Sequence, residues 1–92
     1  MTGGRIRRRV VVHGNVQGVF FRDSTRRRAD QRGVAGWVAN RSDGSVEAVF
    51  EGEPDDVRSM VEFCRSGPGR ADVREVEETE EDPEGLDGFS VR

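Results

Sequence analysis

The sequence predicts an α+β domain of the split βαβ type, in the order β-α-β-β-α-β, with two helices packed on one face of an antiparallel sheet. Three observations carry that expectation. Two stretches without interior glycine or proline place apolar residues at helical spacing, each follows an alternating strand-like run, and an Asp-Gly pair joins the two middle strands. With 92 residues, 33% of them apolar, the chain has room for one such domain with a modest core, so residues 1–92 are expected to form a single domain.

Residues 6 to 13 alternate as a strand, with Ile6, Val10 and Val12 on one face and Arg7, Arg9, Val11 and His13 on the other. Arg8 interrupts the apolar face near its start. From Phe21 to Arg32 the spacing of Phe21, Thr25 and Ala29 predicts a helix, and Gly33 supplies its stop. Its apolar stripe is thin, so the stems of Arg28 or Arg32 are expected to cover the core while their heads stay in water.

Val34 to Asn40 and Ser45 to Glu51 read as strands joined through Arg41-Ser42-Asp43-Gly44, a hairpin signal because glycine accepts positive φ. Pro54 then suits a first helical position, Asp55 and Asp56 favour the positive end of a helix, and Val57, Met60, Val61 and Cys64 share one face. Gly67-Pro68-Gly69 ends that helix. Ala71 to Thr79 reads as a strand in which Val73 and Val76 break alternation, so a bulge or change of face is expected. The acidic run Glu77 to Glu84 reads mostly as a solvated edge and loop, and Phe89 to Val91 as a short final strand. This order is the ferredoxin-like plan.

Composition narrows the chemistry. A single cysteine, Cys64, excludes an internal disulfide, and a lone histidine, His13, argues against a histidine-based metal site or a Ser-His-Asp triad. No apolar run approaches the roughly 20 residues that span a bilayer, so no membrane partner is expected and the expected address is cytoplasmic. The net charge of −3 conceals an asymmetry: residues 1 to 41 carry ten arginines against Asp23 and Asp30, whereas residues 42 to 92 carry five arginines against sixteen acids. A basic first half would concentrate anionic substrates nearby.

Gly14-Asn15-Val16-Gln17-Gly18-Val19-Phe20-Phe21-Arg22 joins the first strand to the first helix. Backbone N–H groups in such a loop lack intrahelical partners, the helix dipole adds positive potential, and a guanidinium at the helix start matches phosphate oxygens. The Gly-Lys-Ser/Thr ending of a nucleotide P-loop is missing, which argues against an ATPase. On these residues alone, a plain turn and an anion cradle are equal readings. Asn40, at a strand end before a hairpin, suits local hydrogen bonding as well as a functional role. Trp37 suits sheet packing, Cys64 an inert buried thiol, and His13 a strand end.

Taken together, Gly-x-Val-Gln-Gly-Val-x-Phe-Arg at residues 14 to 22 and Gly-Trp-Val-x-Asn-x-x-x-Gly-x-Val-x-x-x-x-x-Gly at residues 36 to 52 closely resemble the acylphosphatase family. The resemblance continues through Gly67-Pro68 to Phe89-Ser90-Val91; Arg32 departs from it where an apolar residue is usual. It implies hydrolysis of the carboxyl-phosphate anhydride of a small acyl phosphate. It also implies that Arg22 binds the phosphoryl group together with the backbone amides of Asn15, Val16, Gln17, Gly18, Val19 and Phe20, and that Asn40 holds the attacking water. No metal or cofactor is expected, and the chain is expected to act as a monomer without an obligatory nucleic acid. Larger carbamoyl-transfer maturation proteins carry a similar domain followed by cysteine-rich zinc motifs, which this chain lacks, so a free-standing enzyme is expected. The alternative from another class is a non-catalytic ferredoxin-like module that binds nucleic acid through the basic first half.

Overall fold

The computed structural model of the chain describes residues 4–92. Strand β1 (Ile6–Asn15) leads into helix α1 (Phe21–Arg32), followed by β2 (Ala35–Asn40), β3 (Val46–Gly52), helix α2 (Pro54–Ser66), β4 (Asp72–Glu81) and β5 (Phe89–Val91). The strands form one sheet in the order β4-β1-β3-β2-β5. The pairs of β1 with β3, β1 with β4 and β2 with β3 are antiparallel. Strand β5 runs parallel to β2, so the sheet is mixed rather than wholly antiparallel.

Helix α1 keeps the predicted limits. Its C-terminus closes on Gly33 at φ 69°, whose N–H reaches the Asp30 carbonyl while Val34 N–H reaches that of Ala29. Helix α2 begins at Pro54, where a missing N–H costs nothing, and ends at Gly67. The two helices bury Phe21, Thr25 and Ala29 from α1 and Val57, Met60, Val61 and Cys64 from α2. Facing them are Val10, Val12, Val38, Val46, Ala48 and Phe50 of the sheet. Each fully buried side chain of this size contributes about 1.5–3 kcal/mol. Burial in this core pushes the Cys64 thiol up to about 12, so it stays protonated and inert at neutral pH. The Arg28 guanidinium lies 4.6 Å over the Phe63 ring, and Arg32 reaches Asp56 at 3.0 Å, so both cover the α1–α2 seam with their charges outward.

The other face of the sheet carries no helix, and there the charge asymmetry of the sequence resolves into ion pairs. Arg7 bonds Glu81 at 2.8 Å and Glu51 at 3.3 Å. Arg9 pairs with Glu81 and Glu47 on this face, while Arg8, on the helix-covered side with Val10 and Val12, reaches Glu78 and Glu80 at the sheet edge. The basic first strand is thus matched by acids of β3 and β4, and little of its charge is left for a polyanion. The same pairing extends β4 past the expected Thr79, because Arg7 and Arg8 sit opposite Glu81 and Glu80 and neutralise an acidic run that would otherwise repel itself. Strand β4 shows the expected irregularity: Val76 pairs with Val12 and Val73 with Gly14, with one additional residue between, so both valines turn to the core.

Glu51 is fully buried yet ionised. Burial works against its carboxylate, but the N–H groups of Glu84, Leu86 and Gly85, together with the Arg7 guanidinium, outweigh that cost and hold its pKa below the ordinary value. It thereby pins the β4–β5 connection to the sheet.

Candidate active site

The loop between β1 and α1 is shaped by three left-handed or near-left-handed residues. Gly14 sits at φ 132°, where a Cβ would stand 2.1 Å from the Asp72 carbonyl oxygen, so only glycine allows β1 to run beside β4 there. Gly18 at φ 73° and Phe20 at φ 61° then curl the chain into the helix start. Val16 anchors the loop by inserting its side chain fully into the core. Helix α1 begins without a side-chain cap, and its first backbone bond runs from Ser24 N–H to the Phe20 carbonyl. Among the described residues, the N–H groups of Gln17, Gly18, Val19 and Phe20 donate to no protein acceptor. A run of amides without protein acceptors at the positive end of a twelve-residue helix has the chemistry to hold an anion.

Arg22 follows one residue into the helix. Its Nη1 donates to the Arg92 carbonyl at 3.0 Å, the one protein hydrogen bond of this side chain among the described residues. Most of its five N–H donors therefore remain available for a ligand. Asn40 ends β2 at the opposite wall, opposite Val46 of β3, with an exposed side chain that makes no protein hydrogen bond among the described residues.

A cavity of about 480 Å³ joins these groups. It is lined by Val16, Gly18, Phe20, Arg22 and Asn40, so five of the residues expected from the sequence meet in one place. Asn15 is not in its lining; it closes β1 opposite Asp72. Neither Gln17 nor Val19 lines it, and Val19 packs against the core instead. The Gln17 side chain has a different task, donating at 2.8 Å to the Arg41 carbonyl and at 2.9 Å to that of Ser45. That fastens the loop to the β2–β3 hairpin. The hairpin is itself set by Asp43, whose Oδ1 accepts from Ser45 Oγ and N–H; those bonds lower the Asp43 pKa.

Asp23, Arg26 and Val91 also line the cavity and escaped the sequence reading. Arg26 stands one turn beyond Arg22, a spacing that could have revealed it. Asp23 is held by Arg27 at 3.1 Å and Arg26 at 3.8 Å, so its charge is offset within the helix. Among the described residues, no three His, Cys, Asp or Glu side chains converge as a metal-binding set. Trp37 lies on the helix-free face, where Arg92 stacks at 4.4 Å and Arg9 at 5.6 Å, and His13 is bonded to Glu77 at 2.5 Å. Neither lines the cavity.

A family model described as Acylphosphatase matches residues 8–91. A curated acylphosphatase of Haloarcula marismortui is 59% identical over 86 residues, covering 94% of each chain. The solved acylphosphatase of Coxiella burnetii superposes with a TM-score of 0.91 at 40% identity, covering 97% of this chain and 94% of the other. That of Bacillus subtilis gives 0.90 at 40% identity, covering 95% and 98%. No helix among the described residues is long and apolar enough to cross a membrane.

Proposed function

The chain belongs to the acylphosphatase family, and from that premise we propose that it hydrolyses the carboxyl-phosphate anhydride of acyl phosphates to a carboxylate and inorganic phosphate. In this reading Arg22 and the amides of the Gly14–Phe20 loop bind the phosphoryl group, and Asn40 positions the attacking water. The observation that supports the division of roles is one shared cavity lined by Arg22, Asn40 and two loop residues, Gly18 and Phe20, whose backbone N–H groups have no protein acceptor among the described residues.

Phosphoryl transfer passes through a loose transition state in which the equatorial oxygens carry the charge, so catalysis consists of positioning and electrostatics. Amides and a planar two-pronged guanidinium supply both. Asn40 accepts a hydrogen bond from water through its side-chain carbonyl and thereby aims the oxygen at phosphorus; it cannot act as a base. The Asp23 carboxylate is engaged by Arg27 and Arg26, so the water's proton passes to a phosphate oxygen of the substrate itself. The departing carboxylate is a stable anion and needs no general acid.

The reaction on this account requires no metal or cofactor. The acting unit is a cytoplasmic monomer, residues 1–92 forming one domain with no obligatory nucleic-acid partner. Pairing of Arg7, Arg8 and Arg9 with acids of β3 and β4 supports that last point. The test is phosphate release from acetyl, benzoyl and carbamoyl phosphate, with and without EDTA, using Arg22→Ala as the blank. Release from at least one substrate, unaffected by EDTA and lost in the variant, is expected. No release from any would leave a binding domain, and loss with EDTA reversed by magnesium would replace the metal-free scheme.

A further inference from the structure

A second cavity, of about 460 Å³, adjoins the first, and the two share Gly18 and Phe20 in their walls. Pro68 and Gly69 also line it, together with two cations, Arg27 and Arg70. No Asp or Glu lines it among the described residues. Arg27 keeps Asp23 at 3.1 Å, while Arg70 forms no ion pair with any described carboxylate. Phe20, the partition between the cavities, is 80% exposed and holds a left-handed backbone, a conformation that bulky side chains adopt only when the surroundings impose it. An aromatic ring held in solvent at the border of a phosphate nest and a cationic cavity needs a task beyond packing.

We infer that the second cavity receives the acyl portion of the substrate, with Phe20 as the apolar wall it passes and Arg27 and Arg70 binding an anionic group at its far end. The inference rests on the proposed hydrolysis and adds a specificity to it. Acyl phosphates that carry a second, distal anion, carboxylate or phosphate, are turned over better at low concentration than those with an uncharged acyl group. The distal charge does not take part in the chemistry. It is met equally in ground and transition state, so its contribution falls on KM rather than on kcat. Both arginines are solvent-facing, so the attraction is modest and weakens with salt.

The test compares three rigid substrates of matched reactivity: benzoyl phosphate, 4-carboxybenzoyl phosphate, and the methyl ester of the latter, which keeps the size and removes the charge. The wild-type chain is expected to favour 4-carboxybenzoyl phosphate over both others by about three- to tenfold in kcat/KM at low ionic strength, through KM. In Arg70→Gln, which leaves the Arg27–Asp23 pair in place, that preference should fall below about twofold, with benzoyl phosphate turnover unchanged and the melting temperature close to that of the wild type. Equal use of the ester and the carboxylate by the wild type would overturn the inference, as would a preference that survives Arg70→Gln. Failure of the wild type to hydrolyse any of the three would instead remove the underlying acyl phosphate reading.

Discussion

The side-chain amide of Gln17 donates to the Ser45 carbonyl at 2.9 Å, fastening the loop that precedes α1 to the hairpin that follows Asn40. The second bond from the same nitrogen, to Arg41 at 2.8 Å, makes loop and hairpin one body. On the proposed roles, this residue ties the phosphate side of the cavity to the water side. Gln17→Leu removes both bonds at a cost of about 1 kcal/mol each in stability. Its kcat/KM for acetyl phosphate is expected to fall about tenfold, since misplacement of reacting groups is costly. Kinetics alongside thermal melting check this; wild-type kcat/KM would show that the tether has no functional weight.

Glu51→Gln is expected to destabilise the fold by about 3 kcal/mol at pH 7, because it leaves the buried Arg7 without one of its partners. The sign of the pH dependence follows from the folded-state pKa values of Glu51 and Glu81, both held below their ordinary value of 4.5. For Glu81 the cause is the Arg9 and Arg7 guanidinium groups. The stabilisation is complete above about pH 4.5 and is lost as the pH falls through the depressed folded values. Urea unfolding at pH 7 and pH 3.5 should show a smaller loss on acidification in Glu51→Gln than in the wild type. An equal loss would mean that other carboxylates govern acid stability.

Gly14→Ala should cost about 3 kcal/mol or more, since its Cβ would overlap the Asp72 carbonyl and force β1 and β4 apart. Gly44→Ala, at φ 93° with nothing within 4 Å, should cost only about 1–2 kcal/mol from backbone strain. Comparing the two midpoints in denaturant separates close approach from conformational freedom. Equal midpoints would refute the crowding at Gly14.

Asp23→Asn tests the proton route. With Arg27 and Arg26 holding the Asp23 carboxylate, its loss should change kcat by less than about fivefold, well under the hundredfold or more typical of a general base. A hundredfold drop with an altered acid limb of the pH profile would make Asp23 the base.

The sequence exposed the elements whose signals are local. Gly33 stops α1 where periodicity said it should, Pro54 starts α2, and Asp43-Gly44 makes the hairpin. Arg22, Asn40, Val16, Gly18 and Phe20, singled out through the two sequence motifs, line one cavity. What stayed hidden depends on register and distance. Strand β4 runs past Thr79 because Arg8 and Arg7 of β1 lie opposite Glu80 and Glu81, partners far away in sequence. The burial of Glu51 follows from three N–H donors more than thirty residues away. The direction of β5 beside β2, and the task of the Gln17 amide, likewise needed partners that no window of sequence contains.

The separation of roles between Arg22 and Asn40 is tested most directly by measuring kcat for acetyl phosphate and the affinity for inorganic phosphate in Asn40→Ala. If Asn40 serves the water and Arg22 the phosphate, kcat falls about a hundred- to thousandfold, as for loss of one transition-state contact, while phosphate affinity stays within about twofold. A variant that turns over normally, or one that loses phosphate binding along with turnover, would contradict the account.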